Sequence, residues 1–224
     1  MKVGYKKLGL VFGAVAAVAL LPVRADAQFV SYSPVFWSFE GGGGVAIPVG
    51  DLADVSSTGA ALKVGASYFL NPHFALRVEG GVDFMDKGDN APSDPDLNIW
   101  HFLGGFEYLV SDPTDDVFFA LDFGAGGVTF DTDVFQVQNS GGGTTTGNFA
   151  QTYFAAKGGV KLGYSFARHA GTGVPIATIY VNGDFHLLFA DSGDSALFAQ
   201  FNNTSTFDTV YEFPITAGIR FNVP

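Results

Sequence analysis

Phe74-Ala75-Leu76-Arg77-Val78-Glu79-Gly80-Gly81-Val82-Asp83-Phe84 alternates between two kinds of surface. Phe74, Leu76, Val78, Val82 and Phe84 fall at every second position on one face, and Arg77, Glu79 and Asp83 on the other. A period of two is the strand period, because successive Cβ atoms point to opposite sides of an extended chain. An ordinary apolar core would not accept the charged face, so this strand separates two environments.

Seven further segments repeat the pattern. The segment before it sets Leu62, Val64, Ala66, Tyr68 and Leu70 against Lys63, Gly65 and Ser67, and the first sets Trp37, Phe39, Val45 and Ile47 against Ser38, Glu40, Gly42 and Gly44. The fourth opposes Trp100, Phe102, Phe106 and Tyr108 to His101 and Glu107, and the fifth opposes Phe119, Leu121 and Phe123 to Asp122 and Gly124. In the sixth, Phe154, Ala156, Val160, Leu162 and Tyr164 oppose Lys157, Gly159, Lys161 and Ser165. The seventh sets Ile179, Val181, Phe185 and Leu187 against Asn182, Asp184 and His186. The eighth sets Tyr211, Phe213, Ile215, Ala217, Ile219 and Phe221 against Glu212, Thr216, Gly218 and Arg220.

A water-soluble sandwich also alternates, so the connections decide between the two architectures. Short links at 71–73, 111–116 and 167–175 interleave with longer ones at 50–57, 85–97, 131–151 and 190–207. Short turns on one side and long loops on the other are the pattern of a transmembrane barrel, with turns at the periplasm and loops outside the cell. Aromatic residues gather near segment ends: Trp37, Tyr68, Phe74, Tyr108, Phe119, Tyr164, Tyr180 and Phe221 toward the turns, and Phe84, Trp100, Tyr153, Phe189 and Tyr211 toward the loops. Two aromatic girdles are expected from Trp37, Tyr68, Phe84, Trp100, Tyr108, Tyr153, Tyr164, Tyr211 and Phe221. A strand of about ten residues tilted by about 40° covers roughly 25 Å along the membrane normal. Unpaired edge amides in lipid cost several kcal/mol each, so the eighth strand must pair with the first. The reading is therefore all-β, an eight-stranded antiparallel up-and-down transmembrane β-barrel.

Composition agrees. The 224 residues are 47% hydrophobic with 24 Phe, yet the 30 Gly and 10 Pro disfavour long helices. Glycine pairs at 80–81, 104–105, 126–127 and 158–159, and the run 41–44, sit inside strand segments, where they relieve crowding and permit coiling in a narrow barrel. A phosphate-binding glycine loop would need a strand leading into a helix, which is missing. The absence of Cys excludes disulfide scaffolds, thiol catalysis and thiolate metal sites. With 11 Lys plus Arg against 22 Asp plus Glu, the net charge of -11 leaves no electrostatic footprint for nucleic acid.

Residues 1–27 read as a cleaved signal peptide. Lys2, Lys6 and Lys7 precede an apolar stretch from Leu8 to Leu21, and Ala25-Asp26-Ala27 supplies the small-x-small pattern before Gln28. The competing reading is a retained membrane anchor, for which the stretch is short. Cleavage would leave residues 28–224 as the barrel domain, and with seven bases against 21 acids a charge of -14.

With its export signal, eight alternating segments, in-strand glycine pairs, Pro48-Val49-Gly50-Asp51-Leu52 exit and aromatic-ended last strand, the chain resembles the small eight-stranded outer-membrane barrels of OmpA and OmpX type. The resemblance covers residues 28–224 and implies the outer membrane of a Gram-negative-type bacterium. It also implies contact with outer-membrane lipid and lipopolysaccharide, and assembly by the barrel assembly machinery. Members differ in role: membrane integrity, adhesion, host-factor binding or narrow pores. The family's last strand commonly ends on Phe, whereas Phe221 here is followed by Asn222-Val223-Pro224. The cell-wall tethering of longer relatives, which a further peptidoglycan-binding domain supplies, is not expected here.

The charged faces must point into the lumen, since each base facing lipid at mid-membrane would cost about 2–4 kcal/mol. The expected lumenal polar network comprises Glu40, Lys63, Arg77, Glu79, Asp83, His101, Glu107, Asp122, Lys157, Lys161, Asp184, His186, Glu212 and Arg220. Side chains nearly fill the interior of an eight-stranded barrel, so these groups are expected to plug it as ion pairs. The runner-up is a narrow cation-leaning pore using the two excess carboxylates, and a lipid-modifying hydrolase is third. His73, His101, His169 and His186 lack the His-x-Ser arrangement of that hydrolase group, and no catalytic residue, metal ligand or cofactor is assigned. The long connections carry Asp51, Asp54, Asp86, Asp89, Asp94, Asp96, Asp131, Asp133, Asp191, Asp194 and Asp208 against Lys87. Such a rim is either a solvated repulsive face or a place for divalent cations or a basic extracellular ligand. Asp86-Lys87-Gly88-Asp89-Asn90 lacks the ordered acids and final Glu of a calcium loop.

Overall fold

The computed structural model describes residues 36–50, 52–53, 56–86, 97–113, 115–138, 144–170, 173–189 and 210–223, with the backbone alone at 132–138 and 144–149. The expected signal peptide lies outside the described residues, as do most acidic loop positions. Eight strands follow one another: β1 (Phe36–Gly50), β2 (Gly59–Phe69), β3 (Phe74–Met85), β4 (Leu97–Leu109), β5 (Val117–Gln138), β6 (Thr144–Arg168), β7 (Pro175–Phe189) and β8 (Val210–Val223). Each pairs antiparallel with its neighbour, and β1 pairs with β8 from Trp37↔Val223 to Gly50↔Val210, closing the barrel. Closure leaves no sheet edge, which is what lipid demands.

The two faces of each strand separate as the alternation requires. Leu76 and Val78 are exposed on the outside of β3, while Ala75, Arg77, Glu79 and Asp83 are buried inside. Val82 belongs to the outer face yet is buried, because Leu62 and Trp100 flank it in register on both sides. The inversion is plainest on β4, where Phe102 is 70% exposed and its neighbour His101 only 5%.

Short turns at one end have local causes. Asn71 Oδ1 accepts hydrogen bonds from the amides of His73 and Phe74, each at 2.9 Å, fixing the β2–β3 turn as Asn side chains commonly do. The β6–β7 turn closes through His169 N to Val174 O at 2.9 Å and places Gly173 at φ 68, a conformation open to glycine. Arg168 donates to Gly173 O and Pro113 O and pairs with Asp116 at 3.0 Å, tying this turn to the β4–β5 turn.

The connection expected over 131–151 is shorter than its sequence suggested. β5 and β6 continue as a paired hairpin, with Gln138↔Thr144 the last pair and a register irregularity between Thr132 and Phe135. The Thr144-Thr145-Thr146 run, which reads as loop beside three glycines, is β-branched and favours the extended backbone once a partner strand is alongside.

The interior is layered. At the turn end Phe36 stacks on Phe69 with centroids 4.2 Å apart, beside buried Leu109 and Phe118. At the loop end Ala46, Leu52, Ala61, Met85, Leu97, Ile99, Leu103, Val128, Phe130, Tyr153, Ala155, Leu188 and Val210 form one apolar cluster. Leu52, just beyond β1, is fully buried there, and Ser56 Oγ donates to its carbonyl at 2.8 Å. Between these layers lies a polar column.

Candidate functional site

All fourteen residues expected in the lumen are there, and all are buried. They arrive from all eight strands, because each strand turns every second residue inward. Nearest the turns, three bases converge on two acids. Arg220 donates through Nε (3.1 Å) and Nη2 (2.7 Å) to Glu40, and through Nη1 (2.7 Å) and Nη2 (2.5 Å) to Glu107. Lys161 Nζ lies 2.9 Å from carboxylate oxygens of both acids. Arg77 pairs with Glu40 and, at 2.9 Å, with Glu79. Lys161 also sits over the ring of Tyr180, and Arg220 over that of Phe118, at 5.2 and 5.3 Å.

The middle of the column belongs to two lysines. Lys157 Nζ contacts Glu79 at 2.5 Å, Asp122 at 2.8 Å and Asp184 at 3.2 Å, and Lys63 Nζ meets Asp184 at 2.6 Å. Asn182 Nδ2 donates to the same Asp184 carboxylate at 2.6 Å. Many of these contacts cross the barrel, β2 to β7, β3 to β6 and β4 to β8, so they brace opposite walls as well as neighbours. Removing charges from water costs several kcal/mol per ion, and only such multiple pairing offsets it.

Nearest the loops, Asp83, His101, His186 and Glu212 form the last group. His186 Nδ1 lies 2.5 Å from Glu212 Oε1, and His101 Nδ1 lies 3.7 Å from Asp83 Oδ2. The two rings meet edge to face with centroids 5.2 Å apart. This group alone holds no Lys or Arg, and it contains the donor types that bind a metal ion. His73 and His169 lie elsewhere, His73 Nδ1 on Leu109 O at 2.9 Å and His169 Nε2 on Asn222 O at 3.3 Å.

One girdle residue and one further turn-side aromatic lie elsewhere than expected. Trp37, Phe84, Trp100, Tyr164 and Phe221 are exposed outside, with Tyr68, Tyr108 and Tyr211 half-buried. Tyr153 is not among them: it is 5% exposed, inside the barrel, and packs edge to face on Phe130 at 5.6 Å. It follows outward Thr152 and precedes outward Phe154, so alternation puts it in the lumen whatever its height. Tyr180 is likewise inside at 3%, between outward Ile179 and Val181. Sequence reasoning also missed the lumenal apolar residues, although Leu97, Ile99 and Leu103 share the parity of His101.

Among solved structures, Neisserial surface protein A is similar over 83% of this chain and 96% of its own, with a TM-score of 0.53 at 15% identity. The chain has the fold of the small eight-stranded outer-membrane barrels. Ail of Yersinia pestis (12% identity, TM-score 0.48, covering 84% of this chain and 99% of its own) and the outer membrane protein OprG of Pseudomonas aeruginosa (10%, 0.48, covering 86% and 97%) also match. No protein-family model matches the sequence, and no curated protein does.

Proposed function

We propose that the protein is an integral outer-membrane β-barrel with a structural or surface-interaction role, its lumen closed by the ion-pair column. The inside-out distribution of side chains carries this reading: a belt of exposed Phe, Leu, Val, Ile and Trp surrounds buried Lys, Arg, Asp and Glu. A water-exposed protein would have the opposite arrangement, whereas lipid makes this one favourable. The short turns would face the periplasm and the long connections the exterior. Outer-membrane lipid and lipopolysaccharide are the natural contacts of the belt, the assembly machinery acts during biogenesis, and an extracellular ligand would meet the acidic loops. Of those loop acids, Asp86, Asp131 and, for its backbone, Asp133 fall within the described residues.

Belt placement is testable through the two tryptophans, which lie toward opposite ends of the barrel wall, Trp37 opposite Tyr68 and Val223, Trp100 opposite Val82 and Thr129. In single-tryptophan variants reconstituted in vesicles, both should be quenched more by shallowly than by deeply brominated lipid. Strong quenching of either by aqueous acrylamide would contradict the belt.

The apolar layers above and below the column support a closed lumen, since an ion crossing it would be stripped of water at both ends. Reconstituted in planar bilayers, the protein and its Lys161→Met variant are both expected to stay silent. Discrete cation-selective steps that grow in Lys161→Met would establish a pore instead. A non-enzymatic role is supported by the histidines: His73 and His169 meet strand-end carbonyls, and His101 and His186 are enclosed in the lumen.

A further inference from the structure

Counted by layer, the lumenal charges do not cancel evenly. Glu40, Glu79, Glu107, Asp122 and Asp184 meet Lys63, Arg77, Lys157, Lys161 and Arg220 through direct pairs, five acids against five bases. The two acids in excess are Asp83 and Glu212, and they are the two that face histidines. We propose that Asp83, His101, His186 and Glu212 form a lumenal binding site for a divalent transition-metal cation of the zinc type.

Three observations carry the assignment. One ligand atom from each residue lies within 4.8 Å of the other three, so small side-chain rotations reach the edge of about 3.4 Å that tetrahedral zinc requires. The group also holds a concentration of unsatisfied polarity: both oxygens of Asp83, both ring nitrogens of His101, Nε2 of His186 and Oε2 of Glu212 are buried without a hydrogen-bond partner. Burying such atoms unpaired is costly, and a metal ion is the partner that satisfies several at once. Finally, two carboxylates and two neutral imidazoles around a divalent ion sum to zero charge, the balance the rest of the column already keeps.

The donor set also selects the ion. Calcium and magnesium take six or more oxygens, whereas two imidazoles with two carboxylates suit zinc, cobalt, nickel or iron. His186 Nδ1 and Glu212 Oε1, now 2.5 Å apart, would have to separate by about 1 Å for an ion to sit between them as ligand atoms. His101 has its place because position 81 is glycine: a Cβ there would stand 2.2 Å from His101 Nε2. Asp83 and His101 come from β3 and β4, His186 and Glu212 from β7 and β8, so a bound ion would cross-link opposite walls of the barrel. The neighbouring trio Glu79, Asp184 and His186 is less suited, because Lys63 and Lys157 already neutralise its acids. Leu52, Met85, Ile99, Leu103 and Leu188 close the loop side, so the ion is expected to load during folding and to exchange slowly afterwards.

The test is folding of the full chain in detergent with zinc or cobalt chloride, followed by chelator treatment and desalting. About one zinc per folded chain should remain, the cobalt form should show the visible bands of a four-coordinate site, and the urea midpoint should exceed that of protein folded in chelator. The His101→Ala, His186→Ala double variant should lose at least about tenfold in retained metal, while Asp86→Asn at the loop end should keep it. Metal lost on desalting from the unsubstituted protein, or retained equally by the double variant, would overturn the site. Should the double variant not fold, the unsubstituted protein's cobalt spectrum decides: without four-coordinate bands, the proposal fails.

Discussion

Replacing Arg220 with methionine is expected to destabilise the barrel by about 3–5 kcal/mol, the usual consequence of removing one member of a buried charge group. Arg220 is 3% exposed and makes four charge-assisted hydrogen bonds, two to Glu40 and two to Glu107. Methionine fills much of the same volume, so packing is nearly conserved and the loss reports charge. Lys161 and Arg77 remain beside the two carboxylates but cannot supply the missing planar fork. The measurement is the urea midpoint of protein folded in lipid vesicles, read by the gel shift between folded and heat-denatured bands. Arg168→Met, which breaks the pair with Asp116 and the bonds to the Pro113, Asp115 and Gly173 carbonyls at two solvated turns, is the internal comparison and should cost less than Arg220→Met, about 1–2 kcal/mol. Combining Arg220→Met with Glu107→Met restores charge balance and should recover more than half of the loss. Equal and small effects at 220 and 168 would mean that water reaches the column, and the closed lumen would go with it.

Most of the fold was legible because one physical rule covers every strand. With lipid outside and a narrow lumen inside, neither face of a strand is free to vary, so the period of two marks all eight strands and puts the twelve charged residues and two histidines of the column on their buried faces. Structure and sequence pattern part where a second rule competes with the first. Height near a strand end points Tyr153 and Tyr180 to the girdles, whereas parity with Ala155 and Asn182 puts them inside. The β5–β6 hairpin runs past the belt, where lipid no longer enforces alternation, and its Gly and Thr residues carry a turn signal as strong as their strand signal. Inward Leu97, Ile99, Leu103, Val128 and Phe130 were invisible as a layer because apolar residues on both faces erase the contrast that alternation relies on. Nor could pairing partners be read from sequence. That Arg220 would meet Glu107 depends on the width of the barrel, and that the two excess acids would share one layer with the two histidines depends on the register of four strands at once.

Adjacent glycines in β4 should respond in opposite ways to the same substitution. Gly105→Val is expected to prevent folding, whereas Gly104→Val should be tolerated or should stabilise slightly. A Cβ at Gly105 points into the lumen and would lie 1.9 Å from the Phe123 carbonyl oxygen and 2.6 Å from Gly124 Cα, both backbone atoms of the paired strand. No rotamer relieves contact with a backbone atom, so β4 and β5 would have to part, losing ladder hydrogen bonds that lipid cannot replace, a loss beyond about 4 kcal/mol. At Gly104 a Cβ meets nothing within 4 Å, and valine would add apolar surface facing lipid while stiffening a strand residue. The seam between β1 and β8 offers the same contrast: a Cβ at Gly44 would stand 1.9 Å from Ile215 O, and one at Gly41 meets nothing. Heat-modifiability gels on the four valine variants should show folded bands for 41 and 104 and none for 44 and 105. Failure of all four would assign the glycines to backbone freedom during assembly, and success of all four would mean that the strands coil less tightly than these distances require. The predicted split ties the requirement to parity: within a glycine run, the inward member is needed because the barrel is narrow, and the outward member faces nothing but lipid.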